Sequence, residues 1–160
     1  MHNAALAPER RIAVPPETLN PNDADMLINK AMMLSLQGEP DAALALARSA
    51  IRLNPHHPDY YLDYLAHCYF VAGRYEESLT LREGLSSVLP EGRVALAVLC
   101  VLLGRLEEAQ HHIEEFVADF PSHWIGRPSI SFVVDHLFHY RRMSDADVFC
   151  NALRKTGLPE

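Results

Sequence analysis

The stretch "GEPDAALALARSAIRLNP", residues 38–55, contains the pattern that decides the fold of the chain. Gly38 stands where a preceding helix needs a residue in the left-handed conformation, and Pro55 closes the following helix because proline cannot donate the next backbone hydrogen bond. Leu44 and Ala47 belong to an apolar stripe whose members lie three and four residues apart, and such a stripe must be buried against a neighbour. The stretch therefore predicts a turn, an amphipathic helix and a stop.

The same unit occurs three times along the chain. Residues 73–90 read "GRYEESLTLREGLSSVLP" and residues 104–121 read "GRLEEAQHHIEEFVADFP", so each glycine is followed by a proline 17 positions later. Because a helical stretch also precedes each glycine, the pattern predicts helix, turn, helix and stop in each unit. The predicted helices span residues 24–36, 40–53, 59–72, 75–88, 93–103 and 106–119. The interval between glycines shortens from 35 to 31 residues, so we expect the third pair to begin late and to pack with an altered tilt.

Two further helices are predicted after the third unit. The stretch "RPSISFVVDHLFHY", residues 127–140, has a proline suited to a first helical turn and an apolar stripe that ends at Tyr140. The stretch "SDADVFCNALRKTGLPE", residues 144–160, opens with Ser144 and Asp147 as a capping box. A stack of repeats needs a terminal element with a polar outer face, and this pair suits that role.

Composition excludes several classes of function. The chain has 160 residues, 14 lysines and arginines against 21 aspartates and glutamates, a formal charge of −7 and no long basic run, which argues against nucleic acid as a partner. It has no apolar stretch long enough to cross a membrane and no signal-peptide pattern, so we expect a cytoplasmic protein without a membrane partner. Its three cysteines are widely separated and form no Cys-x-x-Cys pair, which favours small core residues over disulfides or zinc.

The repeating unit resembles the tetratricopeptide repeat, in which two antiparallel helices form a unit of about 34 residues. The first unit matches best, at Leu27, Ala31, Leu34, Gly38, Ala43, Ala47, Ala50 and Pro55. In the second unit, Ser78, Arg82 and Leu85 stand where small or aromatic core residues are usual. The resemblance implies an all-α, right-handed superhelix with three repeats over residues 21–121, capping helices over 122–160, and an N-terminal arm or partial edge element over 1–20.

A narrower resemblance concerns bacterial multidomain adenylate/guanylate cyclases. Residues 51–79, residues 102–121 and the ending "ALRKTGLPE" look like the C-terminal repeat region of that family. A catalytic cyclase or winged-helix domain precedes the repeats there, and no part of this sequence resembles the catalytic domain. The resemblance implies a regulatory or scaffold module of a signalling system that is separate from the catalytic domain.

One face of the third predicted helix carries the best candidates for a functional site. Tyr60, Asp63, Tyr64 and His67 lie at positions i, i+3, i+4 and i+7, so they share one side of the helix. The resemblance implies that this side lines a concave groove for partners. The predicted groove residues are Asn29, Met32, Tyr60, Asp63, Tyr64, His67, Phe70 and Val98.

The histidines raise the alternative of a metal protein or an enzyme. A zinc site needs three or four ligands at about 2.0–2.3 Å, whereas Asp63 and His67 supply two, and His56 and His57 lie in the loop at the far end of the helix. The sequence has no Gly-x-Ser-x-Gly turn and no glycine-rich phosphate loop. We therefore expect no catalytic residues, no metal and no cofactor, and a histidine-based metal protein remains the less favoured alternative.

The expected partner is a protein or peptide. Some tetratricopeptide domains hold a partner's C-terminal carboxylate with lysine and asparagine residues, but the matching positions here lack that basic clamp. An apolar or aromatic segment with some positive charge would suit the aromatic surface beside Asp63. The alternative is a homodimer, formed through the N-terminal edge or through the helix that contains Phe132 and Phe138.

Overall fold

The computed structural model describes residues 23–160, which form eight α-helices and no β-strand. This confirms the all-α helical repeat fold. The predicted arm over residues 1–20 lies outside the described residues. The helices are α1 (Ala24–Gln37), α2 (Pro40–Leu53), α3 (Tyr60–Val71), α4 (Tyr75–Glu83), α5 (Pro90–Leu102), α6 (Leu106–Ala118), α7 (Ile130–His136) and α8 (Met143–Thr156).

The first six helices pack as three consecutive pairs, each joined at a glycine turn. Gly38, Gly73 and Gly104 have φ angles of +83°, +73° and +77°, the left-handed region that glycine adopts without steric cost. In each turn the residue after the glycine donates its backbone N–H to a carbonyl five residues earlier, at 3.0, 2.9 and 2.8 Å. These bonds satisfy carbonyls that the end of a helix would otherwise leave unpaired. The three turns predicted from the sequence are thus confirmed.

Two boundaries in the middle of the chain differ from the predicted ones. Helix α4 ends at Glu83 rather than at residue 88, and α5 begins at Pro90 rather than at residue 93. Proline at the first helical position has a preset φ angle and needs no N–H partner there, so it starts α5 early. The third pair therefore does not begin late. The shorter interval between Gly73 and Gly104 is accompanied by a shorter α4.

The C-terminal helices also differ in detail. Helix α7 has seven residues and ends at His136, so Tyr140 lies beyond it. Helix α8 is preceded by Arg142, whose guanidinium donates to the carboxylate of Asp145 at 2.9 Å from both Nε and Nη2. The predicted capping box of Ser144 and Asp147 is therefore wrong, since the residue that precedes the helix is Arg142, two positions before Ser144.

The core consists of two clusters. The smaller one joins α1, α2 and α3, and contains Ile28, Ala31, Ala43, Leu44, Ala47, Ala50, Tyr61, Leu65 and Cys68. Its four alanines are fully buried, which lets α1 and α2 approach closely. The larger cluster runs from Phe70 on α3 to Leu158 and includes six buried residues of α5. Helix α8 packs on α5 and α6, so the C-terminal region completes this second core.

Candidate functional site

Five of the eight predicted groove residues are accessible and lie on α1 or α3, and we call this set the open surface. Its members are Asn29, Met32, Tyr60, Asp63 and Tyr64, all exposed or half-buried. The rings of Tyr60 and Tyr64 meet edge to face with centroids 5.5 Å apart. Because α1 and α3 pack directly on each other, residues of two successive repeats contribute to one surface.

A hydrogen-bonded clasp fixes the position of Tyr60. Its hydroxyl donates to Oδ1 of Asp25 on α1 at 2.8 Å, and the hydroxyl of Tyr61 donates to the same oxygen. The bonds from Tyr61 and Tyr60 lower the pKa of Asp25, while burial and the contact with Asp25 raise the pKa of Tyr60. Tyr60 as a residue remains 37% exposed although its hydroxyl is hydrogen-bonded to Asp25, so apolar parts of it can still meet a partner.

A small cavity opens beside Tyr60. It measures about 140 Å³ and is bounded by α3, by α4, by the connection between α4 and α5, and by the first turns of α5. Its apolar walls include Leu85, Val88, Leu89 and Leu96, and Leu89 is 61% exposed. The cavity therefore has apolar walls, and part of its lining is accessible to solvent.

The polar lining of this cavity is predominantly acidic. Asp59, Asp63 and Glu91 line it, with Arg82 as the basic member. Asp63 pairs with Arg82, and Asp59 accepts hydrogen bonds from the backbone and side chain of Ser86, which lower the pKa of Asp59. The three carboxylates outnumber the one guanidinium, so the site favours a cationic group close to an apolar one.

The other three predicted groove residues are not accessible, which corrects the expectation that they line an open groove. His67 is 2% exposed, Phe70 7% and Val98 0%. Val98 lies within the larger core cluster. His67 and Phe70 are covered by the segment between α7 and α8, from Leu137 to Arg142, which we call the strap.

The strap contacts α3 through aromatic stacking and reaches α1 through its backbone. The ring of Tyr140 stacks on His67 with centroids 5.5 Å apart and lies 6.0 Å from that of Phe70. Phe138 packs against Phe149 of α8 at 4.6 Å. The backbone N–H of Arg141 donates to the carbonyl of Leu36 at the end of α1, at 3.0 Å. The strap therefore spans the first two repeats.

Comparison with protein-family models agrees with this architecture. One model described as a tetratricopeptide repeat matches residues 34–88, and a second model with the same description matches residues 90–115. Together the two matches span just over half of the chain. The chain therefore contains tetratricopeptide repeats. Tetratricopeptide repeats generally mediate protein–protein interaction and are not catalytic. A search of curated proteins found no match.

Where the strap meets the tetratricopeptide repeats, three polar side-chain atoms lack hydrogen-bond partners within the described residues. Nε2 of His67, Nε of Arg82 and the hydroxyl of Tyr140 are buried and have no partner within the described part of the protein. The three residues line a cavity of about 10 Å³, close to the smallest space that holds one water molecule. Burial, reinforced by the charge of Arg82, lowers the pKa of His67 to about 3, and burial raises that of Tyr140.

The remaining histidines of the described residues do not gather into a metal centre. Across residues 23–160, no group of three or more histidine, cysteine, aspartate or glutamate side chains could hold a metal ion. His111 and His112 lie near Glu115, and His136 stacks on Phe132 at 4.6 Å. Among the helices described, none is long and apolar enough to span a membrane.

The sequence analysis missed four residues of the site. Tyr61 is fully buried and holds Asp25, Arg82 is buried beneath the strap, and Phe138 and Tyr140 cover α3. A signal was present for Arg82, because a charged residue at a position that usually belongs to the core indicates a buried ion pair. For Phe138 and Tyr140 the helical pattern was misleading, because it continued past the residue at which α7 ends.

Proposed function

We propose that the chain is a protein-interaction module that binds a segment of a partner protein on the open surface. The observation that carries the proposal is the accessible pair of Tyr60, which is exposed, and Tyr64, which is half-buried, beside a cavity of about 140 Å³. Tyrosine is enriched among the residues that dominate binding energy at protein interfaces. Because the hydroxyl of Tyr60 is already bound to Asp25, its ring is held in place and loses little freedom when a partner docks.

The chemistry of the partner segment follows from the lining of the cavity. An apolar side chain, such as leucine, methionine or phenylalanine, would fill the space between Leu85, Val88 and Leu96. A neighbouring lysine or arginine would be attracted by Asp59 and Glu91. The module is thus suited to a segment that places an apolar side chain next to a positive charge. A regulatory or scaffold role in a signalling system is also part of this proposal, and it rests on sequence resemblance to the repeat region of cyclases alone.

Selection of peptides from a random display library on the purified chain tests this function. We expect the selected peptides to combine an apolar anchor with lysine or arginine. Tyr64→Ala should weaken their binding at least tenfold, measured by fluorescence anisotropy. Tyr69→Ala provides a matched control, because Tyr69 is on the same helix but its hydroxyl accepts from Arg48 of α2. The proposal fails if no peptide is enriched, or if Tyr64→Ala binds as the unmodified chain does.

A further inference from the structure

The strap has the chemistry expected of a partner segment. It places two aromatic residues two positions apart, Phe138 and Tyr140, and follows them with Arg141 and Arg142. The two rings are half-buried, whereas His139 and both arginines are exposed. This alternation is how an extended peptide presents every second side chain to a binding surface.

The strap is held mainly by side chains. The chain has no helix or strand between His136 and Met143. In the described part of the molecule, the bond from Arg141 to Leu36 is the strap's only backbone hydrogen bond to the three repeat pairs. Phe138 also stacks on His67 with ring centroids 6.4 Å apart, and the side chain of Arg142 lies beside Gly38. Loss of these side-chain contacts, of the Tyr140 contacts and of this one bond would therefore free the strap from α1 and α3.

The contact between the strap and the repeats also contains unpaired polar groups. Closing Tyr140 over His67 buries the Tyr140 hydroxyl, Nε2 of His67 and Nε of Arg82 without protein partners. Unpaired buried polar groups cost free energy that solvent would return if the strap moved away. A competing segment that supplies a hydrogen-bonding group at this point would remove that cost as well.

The surface beneath the strap continues the open surface. Tyr64 and His67 lie one turn apart on α3, and the former is half-buried while the latter is covered. A segment bound beside Tyr64 would therefore meet the strap within one helical turn.

We propose that the strap is a built-in ligand of the repeats, and that a partner segment with two aromatic residues two positions apart, followed by arginine or lysine, displaces it. This inference rests on the proposed function and specifies its partner. The strap then keeps the surface formed by His67, Phe70, Ala95 and Leu99 closed until such a segment arrives. Binding to the whole surface is weaker in the intact chain than in one whose strap is released.

A labelled peptide of the chain's own residues 136–144, "HLFHYRRMS", tests the inference when it is added to the full chain. We expect Tyr140→Ala to bind this peptide at least tenfold more tightly than the unmodified chain does. Tyr140→Phe retains the ring and should bind within about threefold of the unmodified chain. A control peptide in which Phe138 and Tyr140 are replaced by serine should bind none of the three chains.

A second variant keeps the test valid if Tyr140→Ala does not fold, as judged by circular dichroism. Arg142→Ala removes the two bonds to Asp145 and the contact with Gly38 but leaves the aromatic rings in place, so it should also increase peptide affinity. The inference is overturned if the folded strap variants bind the peptide no better than the unmodified chain, or if the serine peptide binds equally well.

The two proposals fail separately. Peptide binding to the released chain that is unchanged by Tyr64→Ala would overturn the open surface and leave the strap assignment standing. Library peptides that depend on Tyr64 but bind equally to chains with closed and released straps would overturn the strap assignment alone.

Discussion

The imidazole of His67 lies against the phenol ring of Tyr140, with ring centroids 5.5 Å apart and planes 16° from parallel. The first residue belongs to the second repeat and the second to the strap, so the C-terminal segment completes a site that begins 73 residues earlier. The contact keeps His67 neutral, because burial beside the guanidinium of Arg82 lowers its pKa to about 3. Protonation of this histidine would therefore affect both the stability of the fold and the position of the strap.

We predict that acid destabilises the protein through His67. Its ordinary pKa is about 6.5, so between about pH 6.5 and 3 the unfolded chain binds a proton that the folded chain does not. The contribution of neutral His67 to the free energy of unfolding is thus fully present above about pH 6.5. It is lost as the pH falls, by at most about 1.4 kcal/mol per pH unit. Urea unfolding monitored by Trp124 fluorescence at pH 4.5–8 measures this slope.

The His67→Gln variant isolates this contribution, and His139→Gln is its control because His139 is exposed. We expect a shallower slope for the first variant and an unchanged slope for the second. Some slope of the same sign should remain in His67→Gln, because burial also lowers the pKa of His112. Identical slopes for His67→Gln and the unmodified chain would contradict the prediction.

Local patterns account for what the sequence predicted correctly. The left-handed turns at Gly38, Gly73 and Gly104 and the apolar spacing of the first six helices depend on neighbours within one or two turns. The face shared by Tyr60, Tyr64 and His67 follows from helical periodicity alone. The covering of His67 does not, because it depends on a ring far along the chain.

The ends of α4 and α7 were mispredicted for related reasons. Gly84 follows the last residue of α4, although the apolar pattern continues to Val88 and there contributes to the cavity beside Tyr60. Beyond α7, Phe138 and Tyr140 continue a helical pattern but pack on Phe149 and His67 in a non-helical segment. Tertiary contacts of this kind override local propensity. The conformations of residues 84–89 and of the strap therefore could not be predicted from the sequence alone.

We predict that Gly38→Ala destabilises the protein more than Gly73→Ala or Gly104→Ala. An alanine in the left-handed conformation of these turns costs about 1 kcal/mol at each position. At residue 38 an added Cβ would also lie 3.1 Å from Cδ and 3.2 Å from Cβ of Arg142, whereas nothing lies within 4 Å at the other two. Urea midpoints of the three variants measure the difference, and equal losses would show that Arg142 moves aside freely.

We predict that one of the three thiols reacts much faster than the other two in the folded protein. Cys150 is half-buried, while Cys68 and Cys100 are fully buried. Burial raises the pKa of all three thiols, that of Cys68 to about 12, so exposure decides the order. Titration with a chromogenic disulfide at pH 8 should give one fast equivalent, and three in urea. Cys150→Ser should remove the fast phase; its persistence would contradict the assignment.

We predict unequal costs for the two halves of the Asp63–Arg82 pair. The side chain of Arg82 is 5% exposed and that of Asp63 37% exposed, so the two groups depend on the pair to different degrees. Asp63→Asn leaves a buried guanidinium without a counter-ion, and we expect a loss of about 2 kcal/mol in the free energy of unfolding. Arg82→Met removes the buried charge and leaves Asp63 in contact with water, so the loss should stay below about 1 kcal/mol.

The double variant decides whether the unpaired charge of Arg82 causes the larger loss of unfolding free energy in Asp63→Asn. When Arg82 is already methionine, adding Asp63→Asn should cost almost nothing, because no guanidinium remains to be left unpaired. Urea unfolding of the two single variants and the double variant completes this cycle. If Asp63→Asn instead costs the same in both backgrounds, its effect comes from other contacts of Asp63. In that case Arg82 would be stable beneath the strap without a counter-ion.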